Sequence, residues 1–120
     1  MMPAPVFAGM AHLVPCHPNE FDLRRIQRAI GQRERYRYVE PTVLPIDDGY
    51  RIECACCSRT VRPDGGIVDI ALIRWSDTEG AWLLFARNHE LDRWDLDSGH
   101  DRLDHLLAQL NRDPDRRFWQ

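Results

Sequence analysis

The sequence predicts an α+β domain: an N-terminal helix, an antiparallel β-meander of three to five strands, and a C-terminal helix packed on one face. Apolar residues recur at helical spacing in residues 20–34 and again in residues 100–111. Between these segments, runs rich in β-branched and aromatic residues are separated by short turn sequences. Strands joined by tight turns pair antiparallel, so one sheet with helices on one side is expected.

The first helix is predicted over residues 20–34. Asn19 is a favourable N-cap, and acidic residues follow it in the first turn, where the helix dipole favours negative charge. The spacing of Leu23, Ile26 and Ile30 places these three side chains on the face toward the core.

Turn residues divide the middle of the chain into strands. The predicted strands are residues 36–46, residues 50–56, residues 67–75, residues 82–86 and, as a short edge strand, residues 92–96. Pro45 suits an edge strand, because proline cannot donate a hydrogen bond to a neighbouring strand.

The second helix is predicted over residues 100–111, capped by Ser98 or Asp101 and ended by Asp113-Pro114. Its core-facing side chains are Leu103, Leu106, Leu107 and Leu110. The terminal Phe118 and Trp119 either close the core as a lid or form an exposed anchor for a partner.

The length of 120 residues fits one domain, which we place at residues 20–120 after a proline-rich arm over residues 1–19. Translation could begin at Met1 or at Met10. No apolar run reaches the ~20 residues that span a bilayer. The N-terminus has no basic residue before its apolar stretch, so no secretory signal is expected and a cytoplasmic location is predicted.

The formal net charge is −3, which gives the whole chain no attraction to nucleic acid or to anionic lipid. All 16 basic residues are arginines, and several of them cluster near the first helix. Arginine binds phosphate and tyrosine stacks on bases, so this combination is typical of single-stranded nucleic-acid binding. The same face could instead bind an acidic protein or simply be exposed to solvent. The cluster that we consider for partner or nucleic-acid binding is Arg24, Arg25, Arg28, Arg35, Tyr36 and Tyr38.

Three of the four cysteines lie too close together in sequence to form a disulfide framework. Cys54 and Cys57 form a C-x-x-C pair, and Cys16-His17 could complete a tetrahedral structural zinc site with them. The alternatives are small buried side chains without a cofactor, or redox chemistry through the C-x-x-C pair.

No phosphate-binding loop, nucleophile elbow or metalloprotease motif occurs in the sequence, so we expect a protein without catalytic activity. The leading hypothesis is a small bacterial protein-binding or adaptor module, either monomer or homodimer, with an unknown protein partner and no membrane association. The alternatives are a nucleic-acid-associated protein and a zinc-stabilised module.

The order of aromatic motifs resembles an uncharacterised bacterial family, the domain of unknown function DUF3024, over roughly residues 20–120. The resemblance rests on the run Trp82-Leu83-Leu84-Phe85-Ala86-Arg87, the segment Glu90-Leu91-Asp92-Arg93-Trp94, a short helix, Asp113, and the closing Phe118-Trp119. Gln120 stands where the family has glycine, and Phe85 stands where tryptophan is usual. The resemblance implies a domain boundary near residue 20. The family has no assigned activity that could be transferred to this chain, and the cysteines are not part of its pattern.

Overall fold

The computed structural model describes residues 17–33, 40–55 and 66–119. The elements in these ranges are α1 (Glu20–Ile30), β1 (Thr42–Ile46), β2 (Gly49–Ala55), β3 (Ile67–Ser76), β4 (Ala81–Asn88), β5 (Arg93–His100) and α2 (Leu103–Arg112). The five strands pair antiparallel in the order β1-β2-β3-β4-β5. The predicted α+β class and its meander are confirmed.

One continuous cluster of buried side chains joins both helices to a single face of the sheet. Ile26 and Ile30 of α1 and Leu106 and Leu110 of α2 are at most 2% exposed. Helix α1 contacts β1, helix α2 contacts β4 and β5, and the two helices contact each other. No helix in the described ranges is long and apolar enough to cross a membrane.

Helix α1 begins where the sequence predicts it and ends four residues earlier. Asn19 caps it, because Asn19 Oδ1 accepts a hydrogen bond from the Asp22 N–H at 2.7 Å. After Ile30 the chain turns, and the Arg33 guanidinium donates to the Ile30 carbonyl oxygen at 2.7 Å. Arg33 is only 3% exposed, so this arginine belongs to the interior and not to the basic surface.

Strand β5 is a full-length strand that ends at His100, and the prediction of a short strand stopping before Ser98-Gly99 was wrong. A bulge opposite Leu84 and Phe85 shifts the register, which lets the strand continue through Gly99. Helix α2 therefore begins at Leu103. The predicted side-chain cap is absent, since the N-cap position is Arg102 and its side chain makes no capping bond.

The C-terminal segment closes the core. Asp113 is 1% exposed and adopts a left-handed backbone conformation (φ 42°), which turns the chain back toward the sheet. Its carboxylate accepts hydrogen bonds from three backbone N–H groups, those of Arg117 (2.8 Å), Phe118 (3.3 Å) and Trp119 (2.8 Å). This turn holds both terminal rings beneath the surface.

Phe118 and Trp119 are 3% and 1% exposed, so they form the lid of the core and offer no surface to a partner. The Trp119 indole Nε1–H donates to the Leu110 carbonyl oxygen at 3.0 Å. The guanidinium carbon of Arg33 lies 4.6 Å from the centre of the Trp119 ring, a cation–π contact.

Candidate functional site

The exposed face of α1 combines one aromatic side chain with three arginines. We call the set of Phe21, Arg24, Arg25 and Arg28 the α1 stripe. Residues spaced by three, four and seven positions share one face of a helix, and this face points away from Ile26 and Ile30. Phe21 is 74% exposed, the largest exposure among the large hydrophobic side chains of the described residues.

The first two arginines of the α1 stripe are already ion-paired. Arg24 Nη2 lies 2.7 Å from Glu20 Oε1, and both side chains are about 70% exposed. Arg25 bridges the two helices, because its guanidinium lies 3.1 Å from Asp22 Oδ1 and 2.5 Å from Asp104 Oδ1. The hydrogen bond from Arg25 holds the pKa of the Asp104 carboxyl below its ordinary value.

Arg28 is different, since it is exposed and makes no ion pair with any residue of the described ranges. The Arg25 guanidinium carbon lies 5.9 Å from the centre of the Phe21 ring, so the ring and the cation are held side by side. The other predicted binding residues, Arg35, Tyr36 and Tyr38, lie outside the described residues.

The two described members of the predicted zinc set lie apart. The His17 ring packs 4.5 Å from the Trp82 ring, near the end of the sheet where Asp48 turns the chain. Cys54 lies at the opposite end of β2 and is 8% exposed. Cys54 lies four positions along β2 from Tyr50, which contacts His17, and four residue steps of a strand span about 13 Å.

Zinc ligands lie about 2.0–2.3 Å from the metal, so two ligand atoms of one ion must lie much closer together than about 13 Å. Within residues 17–33, 40–55 and 66–119, no group of three or more histidine, cysteine or acidic side chains could hold a metal ion. Cys16 and Cys57 lie outside these ranges.

His17 fastens the segment before α1 to the sheet. Its Nδ1 lies 3.4 Å from the Tyr50 hydroxyl, 3.2 Å from the Asn19 side-chain amide and 3.3 Å from Asp22 Oδ2. Burial lowers the pKa of His17, and the nearby Asp22 carboxylate opposes this shift only in part. The residues immediately before Glu20 therefore pack against β2 and β4.

Ser98 and His100 form a second polar pair, which sequence reasoning did not identify. Ser98 Oγ lies 2.8 Å from His100 Nε2, a distance that would suit a nucleophile and its base. However, Ser98 Oγ also lies 3.0 Å from Asp97 Oδ2, and a hydroxyl has one proton to donate. The carboxylate is the stronger acceptor, so this hydroxyl is held as a structural link between its two neighbours.

The pKa shifts of three histidines lead us to expect that the free energy of unfolding depends on pH. Burial lowers the pKa of His17, His89 and His100 below the ordinary value of 6.5. Asp97 and Asp101 oppose the shift at His100, and His105 adds to it. The unfolded chain therefore takes up protons first as the pH falls, so the free energy of unfolding should decrease from neutral pH through about pH 6.5 and below.

Urea denaturation on both sides of pH 6.5 measures this effect. The double variant His89→Gln/His100→Gln should lose less stability on acidification than the wild type, because two of the groups that take up protons are gone. An equal loss in both proteins, or a wild type that gains stability as the pH falls, would show that these side chains do not titrate as described.

Trp82, Asp113, Phe118 and Trp119, which belong to the motif order described above, are all buried. A family model named Domain of unknown function (DUF3024) matches residues 14–120, which includes every described element. No curated protein and no solved structure matches the chain. The chain therefore belongs to the DUF3024 family of domains of unknown function.

Proposed function

We propose that this protein is a small, non-catalytic protein-binding module that docks its partner on the α1 stripe. The observation that carries the proposal is Phe21, a ring left 74% exposed beside three arginines on one helical face. An apolar side chain in water gains free energy when a partner covers it. Aromatic residues and arginine also dominate the binding energy of many protein interfaces.

The α1 stripe suits a partner segment that presents an apolar side chain next to carboxylates. Arg28 has no acidic partner in the described ranges and can meet a carboxylate directly. The exposed pair of Arg24 and Glu20 contributes only about 0–1 kcal/mol, so a carboxylate of the partner can replace Glu20 at small cost. Arg25 is held in place by Asp104 on the neighbouring helix, which keeps the guanidinium beside the Phe21 ring.

The local charge favours a protein over a nucleic acid. Glu20 lies beside Arg24, and Asp22 and Asp104 lie beside Arg25, so these three carboxylates offset the formal charge of the three arginines of the α1 stripe. Binding to a phosphate backbone depends on a surplus of positive charge that releases counterions. The formal net charge of −3 for the whole chain adds to this argument.

A random-peptide display selection against the immobilised protein tests the proposal. We expect enriched peptides to contain an aromatic or aliphatic residue next to aspartate or glutamate. Their affinity should fall about tenfold for Phe21→Ala, which corresponds to ~1.4 kcal/mol. It should also fall for Arg28→Ala, and this second loss should shrink at high salt. Peptides that bind both variants as tightly as the wild type would contradict the proposal.

A labelled single-stranded oligonucleotide at low salt provides the comparison with the nucleic-acid alternative. We expect no binding, or weak binding that Phe21→Ala leaves unchanged. Binding that falls steeply with salt and disappears in Phe21→Ala would assign the α1 stripe to nucleic acid instead.

A further inference from the structure

The side of the sheet opposite the helices carries its own apolar row. We call this side the open sheet face. The strand register places Leu72 between Arg51 and Phe85, and it places Phe85 opposite Leu96. Leu44 continues the same row on β1, since it pairs with Arg51. The apolar members of the row lie on β1, β3, β4 and β5, and Arg51 occupies the same position on β2.

Strand β4 shows why this face needs a cover. Its run from Trp82 to Ala86 is apolar on both sides: Trp82 and Leu84 are buried against the helices, while Leu83 and Phe85 alternate with them. Strands that are apolar on both sides are typical of sheets covered on both faces. Both helices pack against the other side, and Leu96 remains 58% exposed.

A charged ladder runs beside the apolar row. It consists of Glu53, Arg51, Asp69, Arg87 and Asp92. Asp69 lies 3.5 Å from Arg51 and 3.8 Å from Arg87, so the ladder connects β2, β3 and β4. The guanidinium carbon of Arg87 lies 5.3 Å from the centre of the Trp94 ring, which extends the ladder to β5.

Among the described residues, the open sheet face carries no net charge. Arg74, which pairs with Gly49 and Leu83, lies on the same side as the ladder. The three arginines, Arg51, Arg74 and Arg87, therefore match the three carboxylates, Glu53, Asp69 and Asp92. A surface of this kind meets a copy of itself without electrostatic repulsion. It also has no charge preference for a strongly acidic or basic partner.

We propose that the open sheet face binds a second copy of this chain, with the two sheets stacked face to face around a twofold axis. Five strands about 4.8 Å apart, each about eight residues long, cover roughly 600 Å² in projection. A stable interface buries about 800 Å² of accessible surface per partner, and the accessible surface of a face exceeds its projection. A twofold axis would place each apolar row against its counterpart, with the sheets about 10 Å apart.

The stacked arrangement places the helices on the two outer sides of the dimer. Each copy would then present its α1 stripe to solvent, facing away from the other. The dimer would be a bivalent module, and a partner with two matching segments would gain affinity from the linkage. This consequence for binding rests on the proposed function, whereas the dimer itself does not.

Sedimentation equilibrium of the full chain at micromolar concentrations tests the inference. We expect the mass of two chains for the wild type and the mass of one chain for Leu96→Arg, because the substitution replaces the most exposed apolar side chain of the row with a charge. Leu91→Arg is the matched control, since Leu91 is 59% exposed in the turn between β4 and β5. It should remain a dimer.

Leu44→Arg is a second interface variant, on a different strand, in case Leu96→Arg does not fold by circular dichroism. A wild type with the mass of one chain overturns the inference; a face covered by residues 1–16 or by a different protein would give that result. A dimer that survives both arginine variants overturns it as well. Phe21→Ala should keep the mass of two chains, and Leu96→Arg should bind a selected single-site peptide as tightly as the wild type does. Failure of the dimer proposal can therefore be distinguished from failure of the proposed function.

Discussion

Replacing Trp119 with alanine should lower the free energy of unfolding by about 3–5 kcal/mol, the usual cost of removing a buried aromatic side chain. The ring is 1% exposed, and its indole N–H donates to the Leu110 carbonyl oxygen. Its loss leaves a cavity, and it removes the cation–π partner of the buried Arg33 guanidinium. A charge in the interior would then lose one of its contacts, which adds to the cavity cost.

Urea denaturation followed by circular dichroism measures this loss. Phe21→Ala is the control, because Phe21 is an aromatic residue of the same domain with 74% exposure and should change stability by less than about 0.5 kcal/mol. If Trp119→Ala proves as stable as Phe21→Ala, the closing pair is not the lid of the core.

Replacing Asp113 with alanine should have an effect of similar size, about 3–5 kcal/mol. The carboxylate is 1% exposed and accepts hydrogen bonds from the N–H groups of Arg117, Phe118 and Trp119. Alanine leaves these buried donors without their acceptor. Position 113 also has a left-handed backbone conformation, which aspartate tolerates through local side-chain hydrogen bonds and alanine does not. This strain costs about 1 kcal/mol more.

Two further variants separate these causes. Asp113→Gly removes the acceptor and relieves the backbone, so it should recover only the smaller part of the loss. Asp113→Asn keeps one acceptor oxygen and tolerates the left-handed conformation, so it should recover more. Asp115→Ala, at an exposed position two residues later, is the control. Equal stability of Asp113→Gly and the wild type would show that the carboxylate does not hold the C-terminal turn.

The parts of the fold that depend on local chemistry were predictable. Asn19 has a side chain that caps a helix, and Ile26 and Ile30 follow the helical period, so α1 and its buried face were predicted from short-range patterns. Pro45 was correctly placed on an edge strand for a similar reason, since it lacks a ladder donor. Each of these signals is contained within a few residues.

The parts that depend on distant contacts were not predictable from those patterns. Arg33 is buried with its guanidinium against the ring of Trp119, which comes from the other end of the chain. The extension of β5 through Gly99 depends on a bulge against β4. Asp113 was predicted as the end of the second helix and as part of the family motif order, but not as the acceptor that holds the C-terminal turn. A tertiary contact decides each of these features.

The two proposed binding surfaces had weak signals in the sequence. Phe21 is an apolar residue on the polar side of α1, out of phase with the core, and that mismatch was the available sign of an exposed ring. The arginines beside it were identified, while their pairing with Glu20 and Asp104 required the structure. The continuous apolar run of β4 was the corresponding sign of the open sheet face.

The most direct test of the account is the affinity of one selected acidic–apolar peptide for wild-type protein, Phe21→Ala and Leu91→Ala, measured by titration calorimetry. Leu91 is also a large exposed side chain, at 59%, but it lies in the turn between β4 and β5, away from the α1 stripe. We predict that Phe21→Ala weakens binding about tenfold and that Leu91→Ala leaves it unchanged. Equal affinity of all three proteins, or a loss in Leu91→Ala alone, would contradict docking on the α1 stripe.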